Sequence, residues 1–176
     1  MASVALKIVI ATDAWKPQIN GVVTTLSHVE GYLRAQGCEV RVIHPGDFHT
    51  FALPNYKEIC VAWNVWKFAE IFESFKPDCV HIATEGPIGL AARRYLIKRG
   101  LPFTTSLHTK FPEYVNQRIG MPVSWGYAFL RWFHEPSKAT LVTTESMRDE
   151  LTARGLKDLV VWTRGVDTQL FCPEQG

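Results

Sequence analysis

Short apolar runs alternate with segments of helical period along this 176-residue chain. Residues 5–11 (ALKIVIA) form a continuous apolar run of the kind that fills a buried strand. From Gly21 to Ala35 the apolar positions Val22, Val23, Leu26, Val29 and Leu33 recur at helical spacing, and Gly37 stops the pattern. Residues 39–44 (EVRVIH) alternate as a strand does. Residues 45–62 are less regular; their turn signals Pro45-Gly46-Asp47 and Pro54-Asn55 predict a loop with a short strand near 57–61. Asn64 is placed to cap a helix that runs to about Phe75, where Pro77 follows.

The same alternation continues to the end. Residues 79–83 (CVHIA) predict a strand, and Gly86-Pro87 opens a helix through Lys98 that Gly100 closes. Strands are predicted at 102–107, 139–143 and 159–162. Helices are predicted from Pro122 to about His134 and from Thr144 or Glu145 to Arg154. Strands that alternate with helices form βαβ units around a parallel sheet. The expectation is an α/β, Rossmann-like three-layer sandwich with a mostly parallel sheet of about six or seven strands.

Composition changes this picture little. Charged residues make up 20% and hydrophobic residues 47%, with a net charge of +2, so no whole-chain field points to nucleic acid. The four cysteines show no C-x-x-C pair and no zinc-ligand spacing, which predicts reduced thiols in a cytoplasmic protein; Cys79 is expected in the core. No apolar run reaches the ~20 residues that span a bilayer.

In an open parallel sheet, ligands bind beyond the carboxyl ends of the strands. That rule selects Thr12-Asp13 with Gly21, then Ala83 to Gly86, Ser106 to Lys110, Thr143 to Ser146, and Thr163 to Gly165. The amides of Gly21 and Val22 lie at a helix start, where unpaired N–H groups favour an anion; Gly21 can equally serve only the turn. No G-x-G-x-x-G fingerprint or P-loop is present, which disfavours a dinucleotide site. Glu85 can accept from a ligand hydroxyl or cap its helix. His108 can donate to a sugar hydroxyl or rest hydrogen-bonded in the core. His81, inside its strand, is assigned to the core. Lys110 can meet an acceptor or phosphate, or stand in solvent. Arg164 faces the crevice or a partner domain.

Arg93, Arg94, Lys98 and Arg99 cluster on one helix. Such a helix can lie on an anionic membrane or be an ordinary solvated face. The helix from Trp125 to Phe133 carries five aromatics, which are expected mostly in the core, with some free to line a lipid-sized groove.

As an ordered set these segments resemble retaining GT-B glycosyltransferases of the group 1 family. The matching stretches are Thr12 to Leu26, Glu85 to Gly89, Ser106 to Phe111, Phe133-His134, Thr144 to Leu151 and Arg164 to Phe171. They resemble in particular the lipid mannosyl- and glucosyltransferases and sulfolipid synthases. The resemblance implies one half of a GT-B fold. Residues 1–164 would form the Rossmann-like acceptor-side domain, and 165–176 a tail leading to a missing C-terminal, donor-binding domain.

It also implies transfer of a hexose from a nucleotide sugar to a lipid or sugar acceptor, with retention and without a metal or other cofactor; the alternative is a stand-alone sugar- or lipid-binding Rossmann-like module without catalysis. His108 would be the catalytic contact to the transferred sugar, with Gly21, Val22 and Arg164 near the donor diphosphate. Asp13, Asn20, Glu85, Thr109 and Lys110 would line the acceptor site. The isolated chain would be inactive, and the parent enzyme would work in the cytoplasm, peripheral to the inner face of the membrane. One departure is that Val22, rather than a second glycine, follows Gly21.

Overall fold

The computed structural model describes residues 5–53, 56–108 and 122–163. Six strands form one parallel sheet in the order β2-β1-β5-β6-β7-β8. They are β1 (Lys7–Ala11), β2 (Glu39–Ile43), β5 (Cys79–Ile82), β6 (Thr104–Leu107), β7 (Thr140–Val142) and β8 (Leu159–Val161). A separate antiparallel hairpin pairs β3 (Thr50–Leu53) with β4 (Tyr56–Ala62). The single strand expected in this stretch is β4. Its partner β3 escaped the reading because the four residues TFAL do not alternate.

Among the described residues five α-helices flank the sheet: α1 (Gly21–Ala35), α2 (Phe68–Phe75), α3 (Pro87–Arg99), α4 (Val123–His134) and α5 (Glu145–Ala153). Side chains alternate across each strand, so every strand feeds two cores. On one face Ile10, Val40 and Val42 pack under Leu26 of α1 and Trp15. On the other, Val9, Ala11, Ile43, Val80 and Ile82 meet Phe68 and Phe72 of α2, Ile88, Ala92 and Leu96 of α3, and Phe133 of α4. Leu107 and Val142 continue that layer against Tyr127 and Leu130 of α4 and Met147 and Leu151 of α5. Each large side chain buried this way contributes about 1.5–3 kcal/mol.

Helix ends follow the expected punctuation. Gly37 and Gly100 take positive φ after α1 and α3. Thr144 caps α5 by accepting from the Met147 amide at 3.1 Å. Asn64 does not cap. It is buried, and its Oδ1 accepts from the His49 amide at 2.7 Å, tying the hairpin to the start of α2. Cys79 is exposed rather than in the core, because it is the first residue of β5, at the amino ends of the strands, next to the exposed Asp78. Among the described residues, no helix is long and apolar enough to cross a membrane.

Candidate active site

The central strands are all parallel, so β1, β5, β6, β7 and β8 end along one edge of the sheet. After β1 the chain passes through α1 to β2. After β5 it passes through α3 to β6 on the opposite side. The switch point, where such sheets open a crevice, therefore lies between β1 and β5.

Asp13 and Thr84 close the floor of that crevice. The Asp13 amide donates to Thr84 Oγ1 at 2.7 Å, and Thr84 Oγ1 donates back to Asp13 Oδ2 at 2.8 Å. The amides of Ile88 and Gly89, in the first turn of α3, donate to the same carboxylate at 2.8 and 3.3 Å. A Cβ on Gly86 would overlap the carboxylate, and one on Gly89 would overlap the Thr84 carbonyl. Only glycine permits this close approach. Burial raises the Asp13 pKa; hydrogen bonds from Ile88, Thr84 and Gly89 pull it down, and the charge of Glu85 pushes it up again. Asp13, expected at an acceptor site, uses both carboxylate oxygens to hold Thr84 and the first turn of α3.

The start of α1 is built differently. Asn20 Oδ1 accepts from the amides of Val22 and Val23, each at 3.0 Å. Asn20 and Gly21 are both exposed. The Val22 amide expected to face an anion thus already has an acceptor, and that acceptor is a neutral side chain open to solvent. Asn20, expected at an acceptor site, is the cap of α1.

His108 follows β6 at the crevice edge and is half-buried. Its Nε2 lies 2.9 Å from Ser106 Oγ, and its ring meets the edge of Trp162 at 6.3 Å between centroids. Ser106 Oγ also lies 3.0 Å from His81 Nε2, while His81 Nδ1 lies 2.9 Å from Thr104 Oγ1. Burial, joined by a smaller push from the neighbouring His108, lowers the His81 pKa to about 4. His81 is the histidine that the sequence assigns to the core. Its link to His108 depends on the β5–β6 register, which pairs His81 with Thr104.

On the opposite face of β6, His134 Nδ1 lies 2.9 Å from Thr105 Oγ1, which lies 2.9 Å from Thr140 Oγ1. Its other nitrogen approaches Glu85 Oε1 at 3.4 Å, an ion-pair distance that lacks hydrogen-bond alignment. Glu85 therefore does not cap α3, whose N-cap is Gly86 without a side-chain bond. It stands at the crevice, backed by a buried imidazole. His134 was the partner that sequence reasoning did not supply, although it closes the Phe133-His134 pair.

The four basic residues of α3 do not share one surface. Arg93 is buried: its Nε donates to Phe133 O at 2.9 Å, its Nη2 to Trp132 O at 2.5 Å, and its guanidinium stacks 3.9 Å from the Trp132 ring. Desolvation lowers its pKa. The expectation of a membrane-facing Arg93 is corrected, since its charge satisfies the C-terminal carbonyls of α4. Arg99 is exposed and pairs with Glu73 of α2 at 2.6 Å; Tyr95 donates to the same carboxylate oxygen at 2.7 Å. Arg94 and Lys98 are exposed. On α4, Tyr127 and Phe133 are core, whereas Trp125 and Trp132 are exposed. Thr109, Lys110 and Arg164 lie outside the described residues.

A polar crevice at a switch point, with a histidine at the end of the next strand, is shared by many α/β folds. Similarity decides among them: residues 19–170 match Glycosyltransferase Family 4. The chain belongs to that family. The family's domain is the N-terminal half of the GT-B fold, in agreement with the sheet described above. The chain is similar to a GDP-mannose-dependent alpha-mannosyltransferase of Mycobacterium tuberculosis, at 25% identity over 96% of this chain and 50% of that protein. It is similar to a second of that name from Corynebacterium glutamicum, at 23% identity over 96% of this chain and 45% of the other. An alpha-monoglucosyldiacylglycerol synthase of Acholeplasma laidlawii is 30% identical over 63% of this chain and 32% of that protein. This family member thus spans about half the length of the mannosyltransferase relatives it matches.

Proposed function

We propose that the chain is the acceptor-side, N-terminal half of a glycosyltransferase that moves a hexose from a nucleotide sugar to a lipid hydroxyl with retention. The observation that carries this reading is the position of His108. It stands at the crevice edge at the end of β6, with its ring held from behind by Ser106. There it contacts the transferred sugar, while Gly21 approaches the donor diphosphate at the exposed start of α1 and Glu85 receives the acceptor hydroxyl. The names of the mannosyltransferase relatives support GDP-mannose as donor. The name of the diacylglycerol relative supports a glycerolipid acceptor. Exposed Arg94 and Lys98 on α3, with exposed Trp125 and Trp132 on α4, support work at an anionic membrane on its cytoplasmic side. The transfer runs without a metal.

A second, donor-binding half would follow in the parent polypeptide, because the relatives are about twice as long. A parent reading frame that closed soon after Gly176 would sink this. The decisive assay uses the longer enzyme with GDP-mannose, diacylglycerol vesicles and EDTA. His108→Ala is expected to cut turnover about a hundredfold with the melting temperature nearly unchanged. An equal fall in both would return His108 to the core.

A further inference from the structure

We infer that His81 is a positioning residue, which acts through the hydroxyl of Ser106 to set the tautomer and ring orientation of His108. The inference rests on the reading of His108 given above. A histidine buried in a sheet needs only satisfied nitrogens, and Thr104 alone could serve one of them. Here the second nitrogen is served by a serine that also touches the imidazole at the crevice edge.

Counting protons along the chain of contacts assigns the His108 tautomer whichever nitrogen of His81 is protonated. Thr104 Oγ1 lies 3.5 Å from the Val80 carbonyl, to which only its hydroxyl hydrogen can be given. With its hydrogen there, it accepts from His81 Nδ1–H at 2.9 Å. His81 is neutral near pH 7, since burial lowers its pKa to about 4. Its Nε2 then carries no proton and accepts from Ser106 O–H at 3.0 Å. The other count, in which His81 Nε2–H donates to Ser106 and Ser106 donates to the Ala83 carbonyl at 3.4 Å, has the same end: the one hydrogen of Ser106 is spent, and it can offer His108 only a lone pair. The His108 Nε2 at 2.9 Å must be the protonated one, and its Nδ1 is left as the unprotonated nitrogen. A functional imidazole whose tautomer is fixed by an outer partner presents one defined nitrogen to its ligand instead of a mixture. Thr104 and Ser106 both project from β6 toward His81, because they are two residues apart on one strand.

The test is long-range proton–nitrogen NMR of the imidazoles in this chain at pH 7. His108 is expected to show a protonated Nε2 and an unprotonated Nδ1. Ser106→Ala should move the two ring nitrogens toward an averaged pair, and His81→Leu should do the same. Ser106→Thr, which keeps the hydroxyl, should restore the split. A His108 protonated on Nδ1 in the unaltered chain overturns the proposal before any variant is made. So does a split that survives both Ser106→Ala and His81→Leu. In the longer enzyme, Ser106→Ala should reduce kcat about tenfold with KM little changed, the scale of one hydrogen bond. If the tautomer moves while kcat does not, the positioning by His81 holds and the catalytic reading of His108 falls.

Discussion

The two helices that start at the crevice solve one problem in opposite ways. α1 begins under Asn20, a neutral and exposed side chain that bonds two amides of its own first turn. α3 begins over Asp13, a partly buried carboxylate from a loop 75 residues away in sequence from Ile88. Both satisfy first-turn amides that a helix cannot bond internally. The first arrangement can exchange its cap for a ligand at little cost. The second cannot, since removing the carboxylate would leave buried amides without acceptors. Of these two helix starts, that of α1 is the exposed one.

The most damaging way to probe this contrast is Asp13→Ala. It removes the acceptor for Ile88, Gly89 and Thr84 together. The expected loss is about 3 kcal/mol in urea unfolding, the sum of stranded donors only partly reached by water. A loss under about 1 kcal/mol would mean that the two helix starts are equivalent.

A titration sharpens the contrast further. Asp13 has a raised folded pKa, so its contribution is complete below the ordinary carboxylate value and is lost as pH rises through the raised one. The gap in stability between the unaltered chain and Asp13→Asn should narrow as pH rises from acid toward neutrality. His81 has the opposite sign: its folded pKa of about 4 lies below the ordinary 6.5. Its contribution is complete above 6.5 and falls away toward pH 4, by about 3 kcal/mol. His81→Asn should flatten that acid limb, as read by urea midpoints at pH 7, 5.5 and 4. An unchanged limb would place the acid sensitivity elsewhere.

The smallest effect belongs to Asn20→Ala, expected to cost about 1 kcal/mol. Its sharper readout is amide NMR during titration with GDP-mannose. The weak shifts should centre on Gly21 and Val22 and spare Ile88 and Gly89. Shifts centred on Ile88 and Gly89 would reverse the comparison.

Most of the layered fold was legible because strands and helices carry different periods, and glycine or proline marks nearly every boundary. The region from β3 to the start of α2 was not, since a four-residue strand has too few positions to show a period. The crevice edge was legible from the strand ends alone. What each polar residue does there was not, because the partners are remote in sequence. Asp13 reads as a free acid until α3 is laid over it. Arg93 reads as one of four surface cations until α4 presents its carbonyls. His81 reads as core packing until the register of β5 and β6 brings Ser106 between it and His108.

α3 is fastened along its whole length. Asp13 holds its first turn, Arg93 grips the end of α4 from its middle, and Tyr95 and Arg99 share Glu73 near its end. A rod pinned at three points behaves as a strut: it transmits a push instead of absorbing it. A load placed on the exposed tryptophans of α4 would therefore arrive, through Arg93, at the turn that carries Glu85.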